Sequence, residues 1–250
     1  MKIRPDLSVC IHSKVKNPKI LDLFLSSLLT IDDHLSLEIV ILGRNKAEKT
    51  FLDAVKQFKQ VRVVDLGEKY SLAEAMSQAM QVSDGRYISM WNLDIVVTQD
   101  CLMRLVEFLD ANPTVGIAAP SLYDGDKIQA VAHALPSLRE LFGRTDNTGS
   151  FASGNRMNDH IKVDWLTGPG LVINRYMVEE IGVVSRRYPF YWSLEYCLRA
   201  AKYGWHIYYC PQARAMGSIE NWSEQGHNRL TLLQEQIALI LLILLHRFRK

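Results

Sequence analysis

An α/β fold, a central mostly parallel sheet flanked by helices, is what this 250-residue chain predicts. Over the first half, short runs rich in β-branched residues alternate with helical stretches of about ten to fifteen residues, the pattern of βαβ units. Hydrophobic residues make up 48% of the chain, enough to bury one large core. No internal repeat, low-complexity tract or linker divides it. One domain over residues 1–225 is expected, followed by an apolar segment over 226–250 that ends in a basic tip.

Leu7 to Ile11 is a first apolar strand. Asn17-Pro18 then opens a helix carrying Ile20, Leu21, Phe24, Leu25 and Leu28, with proline at a first helical position. Leu37 to Leu42 is a second strand, Lys46 to Phe58 a helix, and Val61 to Val64 a third strand. Ser71 to Gln81 is helical by spacing. Arg86 to Val97 reads as a buried strand that runs into Asn92-Leu93-Asp94, and a helix over Gln99 to Asp110 stops at Asn112-Pro113. Val115 to Ala119 is a strand and Ser121 to Asp126 a turn. Leu135 to Phe142 reads as a short helix, and Gly143 to His160, rich in Gly, Asn, Ser and Asp, as a mobile loop. Val163 to Asn174 reads as strand-turn-strand about Thr167-Gly168-Pro169-Gly170. Helices over Arg175 to Ile181 and Ser193 to Tyr203 and a strand over His206 to Cys210 complete the order.

A formal charge of +2 argues against a non-specific nucleic-acid binder. Cys10, Cys101, Cys197 and Cys210 show no C-x-x-C spacing and lie in apolar surroundings, as reduced thiols of a cytoplasmic protein do. The first residues lack the apolar core of a signal peptide, so secretion is not implied. Ile237 to Leu245 is unbroken apolar sequence followed by His246-Arg247-Phe248-Arg249-Lys250. That is shorter than the roughly 20 residues of a membrane span. Two readings stand: a buried helix or oligomer contact, and an interfacial helix making peripheral membrane contact through residues 230–250, its basic tip on anionic headgroups.

Asp94 concentrates the functional question. A carboxylate at the end of an apolar strand is costly unless it binds something, and ligands of open α/β sheets collect beyond the carboxyl ends of the strands. A magnesium-like cation carrying a diphosphate suits such an acid. The alternative is a loop aspartate capping the helix near Gln99. No G-x-G-x-x-G follows the first strand, which argues against a dinucleotide dehydrogenase. Neither a nucleophilic triad nor a zinc site is suggested.

Ordered segments carry a family resemblance. They are Tyr70-Ser71-Leu72-Ala73-Glu74-Ala75, Gly85-Arg86-Tyr87-Ile88 leading to Asn92-Leu93-Asp94, Asn112-Pro113-Thr114-Val115-Gly116 and Pro136-Ser137-Leu138-Arg139-Glu140-Leu141. Most specific are Val163-Asp164-Trp165-Leu166-Thr167-Gly168 and Tyr196-Cys197-Leu198-Arg199-Ala200-Ala201-Lys202-Tyr203-Gly204-Trp205. In this order the chain resembles the family 2 glycosyltransferases of GT-A (Rossmann-like) fold, and among them the bacterial rhamnosyltransferase-like members, from Leu7 to about Ser223. The resemblance implies transfer of a sugar from a nucleotide-diphosphate sugar to a glycan or lipid-linked acceptor in cell-surface polysaccharide synthesis. It implies a cytoplasmic protein, peripheral at the inner membrane face.

By the same resemblance Asp94 closes an Asp-x-Asp-type motif and holds Mg²⁺ or Mn²⁺, with Asn92 at the first position. Ser13, Lys14, Gly43, Arg44, Ser71 and Asn92 fall at the donor edge; Asp164, Trp165 and Trp192 fall in the acceptor region. Three positions depart from the family pattern. Gly43 stands where an acid holds the nucleotide base, Trp192-Ser193 where a catalytic Glu-Asp pair stands, and Gly217 near a metal-binding histidine. Glu195 is the nearest surviving carboxylate and the candidate base; its alternative is an ion pair with Arg199 four residues on. Lys14, Lys16, Arg44 and Lys46 form a phosphate-binding cluster or ordinary solvated surface. Trp165 is a sugar-stacking indole or a core aromatic beside a turn. His227 is a substitute ligand or a surface residue. The losses at Gly43, Trp192-Ser193 and Gly217 together also fit a catalytically inactive GT-A-like binding or scaffold protein.

Overall fold

In a computed structural model of the chain, the structure describes residues 4–13, 24–28, 35–43, 61–67, 70–97, 100–135, 159–218 and 237–244. The expected helix over Lys46 to Phe58 lies outside the described residues, as does that over Leu135 to Phe142 beyond its first residue. So do the body of the expected loop at 143–158 and most of the helix opened by Pro18, of which only α1 (residues 24–28) is seen.

Three consecutive apolar runs become parallel neighbours. β1 (Leu7–Ser13) pairs in parallel with β2 (Leu37–Gly43) on one side and β4 (Tyr87–Asn92) on the other, and β2 pairs with β3 (Val61–Asp65). The chain thus steps outward from β1 to β3 and then returns to the far side of β1. That reversal leaves a crevice at the carboxyl ends of β1 and β4. Across the sheet the order is β3-β2-β1-β4, then β11 (Leu171–Asn174), β6 (Val115–Asp124), β12 (His206–Met216) and β5 (Val96–Val97). The long ladders, including that of β6 with β12, are parallel. β11 runs antiparallel between β4 and β6.

Helices α2 (Leu72–Val82), α3 (Cys101–Ala111), α4 (Arg175–Ile181) and α5 (Trp192–Lys202) bury apolar faces on this sheet. Arg175 ties α2 to α4. Its buried guanidinium donates to the carbonyls of Met80, Ser83 and Gly85 at 2.7–3.1 Å, satisfying groups at the end of α2 that the helix leaves open. At the amino edge of the sheet, the buried Glu38 accepts from the Ser8 hydroxyl at 2.6 Å and the Asp84 amide at 2.7 Å. All four cysteines are free and buried, and burial pushes the Cys197 and Cys210 thiols up to about 12.

Several boundaries differ from expectation. The stretch Ser121 to Asp124 continues β6 rather than turning, because Gly125-Asp126 makes the turn and β7 (Lys127–Ile128) folds back on Tyr123 and Asp124. β12 runs on from Cys210 to Met216 through an irregularity between Cys210 and Arg214. Of the strand expected from Val163 to the turn at Gly168, only Trp165–Leu166 forms, with a second short strand just ahead of Val163. β9 (Ile161–Lys162) pairs with β12, whereas β10 (Trp165–Leu166) pairs with β8 (Ala132–His133) in a separate two-stranded sheet. Helix α3 begins at Cys101 with Asp100 at its cap position, so Asp94 is not the cap of that helix.

Candidate active site

Asp94 sits on a tight turn. β4 ends at Asn92, the Ile95 amide donates to the Asn92 carbonyl at 3.3 Å, and β5 follows. Asparagine at the first position of a turn is favourable because its side chain supports the reversal. Asn92 is buried, whereas Asp94 is exposed at the tip. The end of β12 clamps this turn from outside: Ala215 and Met216 pair antiparallel with Val97 and Val96. Gly217 follows directly. With φ at +148°, it lies so close that a Cβ there would stand 2.9 Å from the Asp94 carbonyl oxygen and 2.4 Å from Ile95 Cδ1. The Gly217 amide donates to Tyr123 at 2.7 Å. Position 217, where the family resemblance puts a histidine, is thus beside Asp94, and the backbone there has no room for a side chain.

On the inner side, Trp91 fixes β4. Its indole N–H donates to Ser89 at 2.9 Å and its ring lies against Gly170, where a Cβ would come within 2.7 Å. Gly170 also donates its amide to Met90 at 2.7 Å. The base of the Asp94 turn is therefore packed and hydrogen-bonded.

Along the crevice, His12 near the end of β1 is in register with Asn92 and meets the Tyr70 ring edge-on at 5.5 Å. Ser71 caps α2: its hydroxyl accepts from the Glu74 amide at 3.1 Å while Glu74 accepts from the Ser71 amide at 2.8 Å. This reciprocal cap places the Glu74 carboxylate at the helix N-terminus, where an anion would otherwise bind. Ser71 is thus engaged within its own helix. Gly43 is buried at the end of β2, and the backbone of Ser13 ends β1. Lys14, Lys16, Arg44, Lys46 and His227 lie outside the described residues.

The acceptor candidates separate. Asp164 is exposed and accepts from the Leu135 amide at 2.8 Å. Trp165 is half-buried; His133 stacks on one ring face at 4.2 Å, and its indole N–H donates to Ala134 at 3.3 Å. Trp192, in contrast, is only 3% exposed within the core, so its indole presents no face to a sugar in this arrangement. The sequence alone does not single out His133; it lies 6% exposed, and burial lowers its pKa against an opposing hydrogen-bonding contribution from the Ala130 backbone.

Glu195 is held by Arg199. Both carboxylate oxygens accept from the guanidinium at 3.0 Å, and Arg199 also donates to the carbonyls of Ile181 and Val183. The pair is largely enclosed, the side chains being 12% and 23% exposed. Both oxygens are therefore already engaged in the ion pair that the helical spacing offers.

Among the described residues no group of three or more His, Cys, Asp or Glu side chains is placed to hold a metal. Asp94 alone still suits a hard cation that brings phosphate oxygens and waters as its remaining ligands.

This arrangement, an open α/β sheet with a carboxylate turn at its switch point, is the GT-A fold of glycosyltransferases. Among the solved structures that share it are a mannosyltransferase from Pyrobaculum calidifontis in complex with GDP-Man and Mn²⁺ (TM-score 0.59), and GalNAc-T7 with UDP, GalNAc and Mn²⁺ (TM-score 0.65). Each is 15% identical to this chain, and the likenesses cover 88% and 89% of it. The chain spans 60% and 46% of those proteins. No curated protein matches significantly by sequence. The profile of glycosyl transferase family 2 matches residues 8–182, and the chain belongs to that family.

Proposed function

We propose that this protein transfers a sugar from a nucleotide-diphosphate donor to a glycan or lipid-linked acceptor in cell-surface polysaccharide synthesis. The observation that carries the reading is the placement of Asp94: an exposed carboxylate on a clamped turn at the sheet's switch point. Asp94 would hold Mg²⁺ or Mn²⁺ together with the donor diphosphate. A divalent cation there would offset charge developing on the departing diphosphate. Asn92 shapes the turn that presents Asp94, while Asp164 and the half-buried Trp165 face the acceptor. That the mannosyltransferase and GalNAc-T7 of the same fold were captured with Mn²⁺ supports the choice of metal. The test is Mn²⁺-dependent donor hydrolysis and transfer by the wild type and by Asp94→Ala. Loss in the variant is expected, and equal activity would remove Asp94 from the metal role.

Peripheral attachment at the inner membrane face is part of the same proposal. In α6 (residues 237–244), Leu239 and Ile243 bury against Leu194 and Leu198 of α5. Ile237 and Leu241 are 54% and 56% exposed, leaving apolar surface just ahead of the basic run Arg247, Arg249 and Lys250. Among the described residues no helix is long and apolar enough to cross a membrane.

A second reading, a GT-A-like binding or scaffold protein without catalysis, draws on the Glu195–Arg199 pair, since the nearest surviving candidate base has both oxygens engaged. Calorimetric titration separates the two. A scaffold shows no metal-dependent nucleotide binding, whereas the enzyme binds nucleotide diphosphate with Mn²⁺ and turns over the sugar donor.

A further inference from the structure

The ladder between β2 and β3 sets Asp65 beside Gly43 in register. Paired residues of neighbouring strands send their side chains to the same face of the sheet. The Asp65 carboxylate therefore rises where a side chain at position 43 would, displaced by one strand spacing of about 4.8 Å. Pairing continues one residue further, the Leu66 amide donating to the Gly43 carbonyl at 3.0 Å, so the end of β3 is held. Asp65 is exposed; its Oδ1 accepts from the Gly67 amide at 2.8 Å, and Oδ2 has no partner among the described residues.

Next along the edge is Tyr70, whose phenol is pushed up by burial and by the charge of Asp65. Tyr70 packs on His12, and His12 is in register with Asn92. Asp65, Tyr70, His12 and Asn92 thus form one rim. From β3 to β4 it crosses three strand spacings, about 14 Å. A nucleoside diphosphate lying along the rim reaches from a base at Asp65 to phosphates at Asp94.

We propose that Asp65 reads the donor's nucleobase in place of the acid that position 43 lacks. The inference rests on the nucleotide-sugar reading of the site. Carboxylate Oδ2 accepts the ring N–H of uracil, thymine or guanine. Adenine and cytosine present a ring lone pair at the corresponding position and meet the carboxylate with repulsion.

The test is calorimetry of UDP, dTDP, GDP, ADP and CDP in the presence of Mn²⁺, with Mn²⁺-pyrophosphate as a base-free control. Wild type should favour one of the first three over ADP and CDP. A hydrogen bond to a charged group is worth roughly tenfold or more in affinity. Asp65→Ala should lose that factor for the preferred nucleotide while binding pyrophosphate unchanged. Asp65→Asn, which can also donate, should narrow the gap to ADP and CDP. Because Asp65 is exposed, melting temperatures near wild type are expected for both variants. A base preference unchanged in Asp65→Ala, or a wild-type preference for ADP or CDP, overturns the proposal while leaving the nucleotide reading intact. No nucleotide binding by the wild type overturns both.

Discussion

Replacing Gly217 by alanine tests whether the lost histidine position is structurally closed. Two penalties combine in that substitution. The backbone at φ +148° is one that side chains rarely adopt, which costs about 1–3 kcal/mol. The new Cβ also meets the Asp94 carbonyl at 2.9 Å and Ile95 Cδ1 at 2.4 Å. Ile95 is fully buried and the Gly217 amide is tied to Tyr123, so relief requires the Asp94 turn to shift. Overpacking of this kind adds about 1–3 kcal/mol. Together they predict a melting temperature lower by on the order of 10 °C in a chain of this size. Gly204→Ala is the control, since Gly204 has φ +88° but nothing within 4 Å of its Cβ position. It should show backbone strain alone. The assay is thermal unfolding of both variants, paired with Mn²⁺-dependent nucleotide titration, where only Gly217→Ala should weaken binding. Gly217→His should be less stable still and gain no metal affinity. If Gly217→Ala and Gly204→Ala melt alike and bind nucleotide alike, the clamp on Asp94 is not there.

Four further outcomes follow from the packing. Arg199→Met leaves Glu195 unpaired and the Ile181 and Val183 carbonyls without their donor; with both groups partly exposed, a loss of about 2–3 kcal/mol in denaturant unfolding is expected. Burial holds the His133 pKa below its ordinary 6.5, so the unfolded chain binds the proton more readily. Stability should be whole above about pH 6.5 and decline as pH falls below it, and His133→Phe should flatten that slope in pH-dependent melting. Leu239→Ala, which opens the contact with α5, should cost about 2–5 kcal/mol. Leu241→Asp should leave melting unchanged but abolish co-sedimentation with anionic vesicles if α6 lies on the membrane; equal sedimentation of Leu241→Asp and wild type would refute that.

The parallel strands were legible because both faces are covered: LEIVIL and YISM are nearly continuous apolar runs, which is what double-sided burial requires. The bounds of the helix Arg175 to Ile181 are legible to the residue because Asn174 caps it and Gly182 ends it. The extension of β6 through Ser121 and Tyr123 was not legible, since polar side chains there are tolerated only through partners distant in sequence. Ser121, for example, donates to the Pro211 and Ala213 carbonyls. The same limit applies to the site. Asp94 announced itself by ending an apolar run, whereas the relation of Asp65 to Gly43 exists only in the register of two strands. Burial of Trp192 was equally hidden, because one aromatic in a run of them carries no sign of which faces the core.

Two of the departures from the family pattern are coupled to residues that remain. Gly217 presses on the Asp94 turn, and Gly43 lies beside Asp65. With Asp94 as the one carboxylate that the described residues bring to the proposed metal position, the site cannot compete with water for a divalent cation alone, because Mg²⁺ and Mn²⁺ need several oxygen ligands. With a diphosphate present, two or more of those ligands arrive on the substrate. Metal and nucleotide affinity should therefore be strongly coupled, and linkage requires the coupling to be reciprocal: the factor by which UDP or GDP tightens Mn²⁺ equals the factor by which Mn²⁺ tightens the nucleotide. Titrating Mn²⁺ with and without nucleotide, then nucleotide with and without Mn²⁺, measures both. Mn²⁺ should bind weakly alone and at least tenfold more tightly with nucleotide, a coupling of about 1.4 kcal/mol or more. Tight Mn²⁺ binding to the nucleotide-free protein would mean that ligands beyond Asp94 complete a resident metal site, and the single-carboxylate account would fall.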